Sequence, residues 1–267
     1  MVLPIHDVNP TRRTPVVTYL LIALNVLFFV VSPVAFQPLA GGDEAAQCEV
    51  VEFFDRYAAQ PDEVIGNRQE PQAANGRPGP QPGTCQVQRP PPFEKSPFLS
   101  VLTAMFLHGG WAHLLGNMLF LYVFGNNVED RFGRVKFLLF YLLCGYVATY
   151  GFSALDGGST TPLVGASGAV AGVLGAYLMM YPRAKVWSLL TFFFFLPVRL
   201  PAWLVLGSWF ALQYLYFRGA GVSDAGGVAY AAHVIGFVVG ALLALPHRGT
   251  GVDRRTAAPR SGPHVRP

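Results

Sequence analysis

The sequence predicts an all-α, polytopic membrane protein built as a bundle of six transmembrane helices. Three observations carry this. The 267 residues are 52% hydrophobic and only 13% charged, about half the ~25% charge of a soluble domain. Six apolar segments recur, at roughly 16–36, 111–126, 137–153, 163–181, 201–217 and 229–245. Arginine and lysine concentrate in alternate connections between them. The net charge of +4 is small, and no basic stripe with interleaved aromatics suggests a nucleic-acid partner. The bilayer is the expected partner.

Residues 1–15 form a short N-terminal arm carrying Arg12 and Arg13. The first span, 16–36, also resembles a secretory signal in having an Arg pair before an apolar run. It is long, includes Asn25 and lacks a small-x-small cleavage site, so it reads as a retained span. Residues 37–98 form a long outer loop with nine acidic and five basic residues. Its second half, "EPQAANGRPGPQPGTCQVQRPPP", is rich in Pro and Gly and is expected to be irregular or extended. Cys48 and Cys85 both fall in this loop. In an oxidising compartment they either pair and staple it or remain two separate thiols.

The second, third and fourth spans follow at 111–126, 137–153 and 163–181, with Cys144 a small packing residue in the third. The run 186–217 is too long for one span and is broken by Pro197, Arg199 and Pro201. Its first part, 186–197, is too short to cross and is expected at the interface or re-entering. It leaves one crossing, 201–217. The sixth span is 229–245, and 246–267 reads as a disordered basic tail near anionic lipid. Several segments fall short of the ~20 residues a span needs, so flanking residues or a thinned bilayer must make up the difference.

Charge then orients the bundle. Arg12 and Arg13 precede the first span. Arg131, Arg134 and Lys136 separate the second from the third. Arg183, Lys185 and Arg199 separate the fourth from the fifth. Arg248, Arg254, Arg255, Arg260 and Arg266 follow the sixth. The membrane domain 16–245 is thus expected in the cytoplasmic membrane with both termini in the cytoplasm.

Polar residues inside spans are expensive and mark candidate sites. They are Asn25, His108, His113, Asn117, Ser167, Ser208, Gln213 and His233. In this topology His113, Asn117, Ser167 and His233 all lie near the outer ends of the second, fourth and sixth spans. Ser167 sits in "GASGAVAG" (165–172), as either a packing residue or a nucleophile. A nucleophilic serine needs a base within hydrogen-bond reach. Gly168 and Gly172 on the fourth span, and Gly236 and Gly240 on the sixth, form small-xxx-small faces that let helices approach. His233 shares the face of Gly236 and Gly240. His113 and Asn117, four apart on one face, offer donors for an oxyanion. The N-terminus of the helix that Ser167 begins also favours negative charge. No acidic residue lies in a span, and Asp156 and Asp224 are expected to be solvated, so a Ser–His dyad remains. A zinc site from His108, His113 and His233 lacks a Cys or carboxylate ligand. No metal or cofactor is expected.

These motifs resemble those of the bacterial rhomboid intramembrane serine proteases. The likeness rests on "HGGWAHLLGNMLFLYVFGNNVEDRFG" (108–133), "GASGA" (165–169) and "AAHVIGFVVG" (231–240), with Asn25 in the first span. It covers about 16–36 and 98–246. It implies that Ser167 is the nucleophile and His233 the general base. His113, Asn117 and the Ser167 N–H would form the oxyanion hole. Gly165 would keep the preceding loop open, and His108 would brace the site. Glu129 and Arg131 would tie the loop between the second and third spans. Trp203, Trp209 and Phe210 on the fifth span would form a lateral gate for transmembrane protein substrates. Two departures stand out. Ala171 occupies the position, four after the serine, where the family often has a ring stacked on the histidine. The outer loop is also longer than usual. The competing reading is a weak or inactive relative of the same fold that binds clients without cutting them. A transporter is remote, since the spans lack paired charges.

Overall fold

The computed structural model describes residues 2–36, 43–190, 195–220 and 228–248. Strand β1 is Val2–Asp7, and helix α1 is Val16–Val30. An outer unit follows: α2 (Glu44–Tyr57), α3 (Pro61–Gly66), β2 (Ala73–Pro78) and β3 (Cys85–Gln88). Then come α4 (Pro97–Ala104), α5 (Trp111–Phe120), α6 (Asn126–Phe132), α7 (Arg134–Leu155) and α8 (Ser167–Met180). The chain continues with β4 (Lys185–Leu190), β5 (Leu196–Pro201), α9 (Ala202–Ala220) and α10 (Tyr230–Leu243). A π-helical turn, Leu121–Gly125, joins α5 to α6 without a break.

Helix α8 is the centre of the bundle. Val173, Leu174, Ala176 and Tyr177 are fully enclosed on its successive faces, as expected of a helix that is apolar all round. α7 and α10 flank it. The peripheral helices present bare apolar side chains outward, including Leu27 at 56%, Val135 at 72% and Leu215 at 63% exposure. Such a surface suits lipid, where no hydrophobic penalty attaches to exposed Leu or Val. α7 is the one helix among the described residues long and apolar enough by itself to cross a membrane; α1, α8 and α10 are shorter apolar helices.

Two small antiparallel sheets amend the all-α expectation. β1, β4 and β5 form one sheet in that order, and β2 pairs with β3. The stretch expected to lie at the interface is therefore a hairpin, which returns the chain to the side it left. Pro197 and Pro201 explain its form: neither can donate to a ladder, and both lie on β5, an edge strand. Trp187 faces Arg199 across the register, with the guanidinium 4.2 Å from the ring centroid. β1 precedes α1 yet pairs with β4 beyond α8, so the N-terminal arm and the α8–α9 connection lie at one end of the bundle.

The outer loop is also more structured than its Pro and Gly content suggests. Cys48 on α2 and Cys85 on β3 are joined by a disulfide that closes a separation of 37 residues. Asp55 accepts a hydrogen bond from Ala74 N–H at 2.9 Å. Lys95 and Glu63 form an enclosed ion pair at 2.5 Å, and burial pushes the Lys95 ammonium below its ordinary pKa. These pairings give irregular backbone its partners, which local propensity could not supply. Of the tail 246–267, only 246–248 fall within the described residues.

At the end opposite Ser167 on α8, Glu129 acts as a cap. Its carboxylate accepts from Val17 N–H (3.0 Å), Thr18 N–H (2.7 Å) and the Thr18 hydroxyl (2.8 Å). It thus ties the end of α6 to the start of α1, satisfying orphan donors of that helix. Asp130 does the same for Arg13 N–H at 3.0 Å.

Candidate active site

Ser167 is the first residue of α8, and no side chain caps that helix. The N–H groups of its first turn therefore stay open toward the loop before it. That loop is held from two sides. Leu163 and Ala59 of the outer unit exchange backbone hydrogen bonds of 2.7 and 3.3 Å, and Asp62 N–H donates to Ser159 O at 3.1 Å. Gly165 N–H donates to Ala104 O at 2.9 Å. The outer unit is thus a strap on the segment that leads into Ser167.

Gly165 has a φ of +120°, a conformation other residues resist. It is also crowded: a Cβ there would stand 2.7 Å from both Cε1 and Nε2 of His113, and 3.7 Å from Asn117 Nδ2. His113 and Asn117, one turn apart on α5, therefore point across Gly165 toward the start of α8. Gly109 N–H donates to His113 Nδ1 at 3.4 Å, which leaves Nε2 to carry the donor hydrogen. Asn117 is 8% exposed, and its Nδ2 finds no acceptor among the described residues. A buried donor without an acceptor is costly and is what an oxyanion hole holds in readiness. His108 is enclosed and packs edge-on against His113, with ring centroids 5.1 Å apart.

Helices α8 and α10 touch through their backbones. A Cβ on Gly236 would fall 2.1 Å from Gly168 O, and one on Gly240 would fall 2.0 Å from Gly172 O. Gly168 and Gly172 serve a second neighbour as well. Their own Cβ positions would meet Ala148 at 2.7 Å and Cys144 at 2.6 Å on α7. Gly175 adds a further contact, 2.1 Å from Phe237 O. The seam sets Gly236 against Gly168, so His233, three residues earlier on α10, lies within one helical turn of the level of Ser167. Ser167, Gly168, Ala229 and Ala232 line one cavity of about 30 Å³ together with Gly165 and Met105. A larger recess of about 480 Å³ lies elsewhere, between Arg13, Glu129 and Lys136.

His233 Nδ1 is 2.8 Å from Gln213 Oε1 on α9. No hydrogen bond joins His233 to Ser167 among the described residues. Two rings stand by the imidazole, Trp209 at 5.9 Å and Tyr230 at 6.2 Å. Ala171 is enclosed at 1% exposure, so the aromatic surroundings of His233 come from α9 and α10. Trp209 and Phe210 face Phe237 of α10, whereas Trp203 points outward at 55% exposure. Among the described residues no cluster of His, Cys, Asp and Glu is arranged to hold a metal; Asp224 lies outside them. Gln213, one of the polar candidates, and Trp209, expected in the gate, both stand against His233, while the Ala59–Leu163 strap is an addition that no motif signalled.

Residues 95–249 match the family model described as the Rhomboid domain. The chain is 34% identical over 176 residues to RHOMBOID-like protein 4 of Arabidopsis thaliana, covering 61% of this chain and 38% of that protein. It is 36% identical over 107 residues to the mitochondrial RHOMBOID-like protein 6 of the same plant, covering 38% and 34%. It is 37% identical over 83 residues to the putative rhomboid protease YdcA of Bacillus subtilis, covering 30% and 40%. The chain spans about two fifths or less of the length of these relatives. The matched domain takes in more than half of the chain and includes His108, His113, Asn117, Ser167 and His233, and the chain belongs to the rhomboid family of membrane proteins.

Proposed function

We infer that this protein is an intramembrane serine endopeptidase that cuts transmembrane segments near the outer leaflet. The observation that carries the reading is the convergence of His113 and Asn117 across Gly165 onto the open start of α8, beside the glycine seam that brings in His233. Ser167 Oγ attacks the scissile carbonyl, and its proton passes to His233 Nε2. The new oxyanion takes hydrogen bonds from Asn117 Nδ2, His113 Nε2 and the Ser167 N–H. The imidazolium then gives its proton to the leaving amine, the C–N bond breaks, and an acyl-enzyme remains. Water repeats the sequence with His233 as base and frees Ser167. The cavity beside Ser167 is only about 30 Å³, which suits a small side chain at the cut. A helical substrate hides its carbonyls, so the segment must unwind locally.

Six crossings account for the exposed apolar faces: α1, the continuous α5–α6, α7, α8, α9 and α10. The alternating Arg and Lys support a reading with both termini in the cytoplasm and the bundle in the cytoplasmic membrane. The test is cleavage of a model transmembrane substrate in liposomes by wild type, Ser167→Ala and His233→Ala. Cleavage by wild type alone is expected. No cleavage by any of them, with the substrate bound, would favour the client-binding alternative.

A further inference from the structure

We propose that Gln213 is a positioning residue for His233: a neutral acceptor on α9 that holds the imidazole in the tautomer needed for proton transfer. This rests on the reading of Ser167 and His233 as nucleophile and base. It adds to that pair a third residue, on a different helix.

The argument begins with the atoms. Gln213 Oε1 stands 2.8 Å from His233 Nδ1. An amide oxygen only accepts, so Nδ1 must carry the hydrogen. In a neutral imidazole that leaves Nε2 with its lone pair free, the form that can take a proton from a serine hydroxyl. A base oriented by a third group is the general requirement for an activated nucleophile. The group that meets His233 Nδ1 is an amide and not a carboxylate, so the third group here is neutral. When His233 becomes an imidazolium, Nδ1–H keeps donating to Oε1. No proton passes to the amide.

The helix geometry supports the same role. Trp209 and Gln213 are one turn apart on α9, and Tyr216 follows three residues on. All three meet α10: Trp209 beside His233 at 5.9 Å, Gln213 on its Nδ1, and Tyr216 stacked on Tyr230 at 5.1 Å. Phe210 stacks on Phe237 at 4.5 Å. Gln213 is thus held on the face that meets α10, and its amide stays partly buried against the histidine. A bare structural role would call for an apolar residue at this depth of the membrane, since an amide is costly there.

The test compares Gln213→Met, which keeps the length but removes the acceptor, with Gln213→Glu, which keeps an oxygen at the same reach. Thermal midpoints in detergent establish that each variant is folded. Gln213→Met should lower kcat about 10- to 100-fold with KM unchanged, the pattern of an interaction that acts in the transition state. Gln213→Glu should restore most of the lost kcat. Nitrogen-15 spectra of labelled histidine should place the hydrogen on Nδ1 of His233 in wild type and not in Gln213→Met. If wild type cleaves and Gln213→Met matches its kcat, the inference falls while the proposed function stands. The same holds if the loss appears in KM alone, or if Gln213→Glu is as slow as Gln213→Met. If wild type itself does not cleave, the proposed function fails, and this inference with it.

Discussion

Gly240→Ala probes the contact on which the proposed dyad depends. The added methyl would lie 2.0 Å from Gly172 O and 2.5 Å from Gly172 C. Both are backbone atoms and cannot rotate away. An ordinary contact needs about 3.4 Å, so the two helices must part by about 1.4 Å. α8 has little room to retreat, because Gly172 already rests on Cys144 of α7. α10 must move instead. His233 lies seven residues, or about 10 Å, along the same rigid helix, and it is carried outward by about 1 Å. Overpacking costs about 1–3 kcal/mol, partly offset by the ~1 kcal/mol that alanine gains over glycine in a helix. Stability should therefore fall modestly. Catalysis should fall far more, since a misplacement of about 1 Å costs on the order of 100-fold. The assay is liposome cleavage of a transmembrane substrate, with thermal midpoints in detergent as the companion measurement. Gly207→Ala on α9 is the control, because nothing lies within 4 Å of its added methyl. If Gly240→Ala cleaves at the wild-type kcat, the glycine seam does not set the distance between Ser167 and His233.

Asn117→Ala should lower kcat about 100- to 1,000-fold without lowering the thermal midpoint, because the deleted donor has no acceptor to lose; a fall in midpoint with intact kcat would assign Asn117 to structure instead. Glu129→Ala should cost about 3 kcal/mol, as it strips three donors at the start of α1 of one charged acceptor; urea or thermal unfolding that matches wild type would contradict that cap. Burial raises the Asp7 carboxyl from 3.8 to about 7, against the lowering effect of the Tyr177 hydroxyl. The folded state thus binds this proton more tightly than the unfolded state. Its contribution is complete below about pH 4 and fades as pH rises to 7, by about 4 kcal/mol. Asp7→Asn should match wild type near pH 4 and exceed it at pH 8, and parallel midpoint curves would refute the sign. Cys48→Ser should lower stability by about 3 kcal/mol, since the disulfide closes a separation of 37 residues; a wild type whose mass is unchanged after reduction and alkylation would show that the bond is not formed in solution.

The site was legible in the sequence to the extent that it is local. The pair His113 and Asn117 shares a helix face because residues four apart do. The glycines of the seam announce themselves by spacing alone. The sequence could not say that Gly168 and Gly172 serve α7 and α10 at once, because the partners Ala148 and Cys144 belong to a helix without a matching pattern. The sheets were missed for a related reason. β1 is six residues long and finds its partner β4 across the whole of the intervening bundle, a pairing that no window of neighbours reveals. The outer unit looked irregular because Pro and Gly dominate its second half, while its order comes from Asp55, Glu63, Lys95 and Cys48, all distant in sequence from the groups they hold.

Gln213, a polar candidate from its composition alone, gains its role from its depth. In the proposed six-span topology, His113, Asn117, Ser167 and His233 share a depth near the outer ends of the spans that run inward. The fifth span runs outward, so a polar residue near its end sits at the same level as one near the start of the sixth. Gln213 meets that condition, four residues from the end of 201–217. Its position also accounts for Ala171. A residue four after Ser167 sits on α8, in the most enclosed part of the bundle, where Ala171 is buried. Orientation of His233 from α8 is closed off, and the groups that meet its ring, Gln213 and Trp209, stand on α9. Under the inference drawn above, the alignment of the dyad is then only as rigid as the packing of α9 on α10. Phe210 on Phe237 and Tyr216 on Tyr230 become the contacts through which a change at α9 reaches the chemistry.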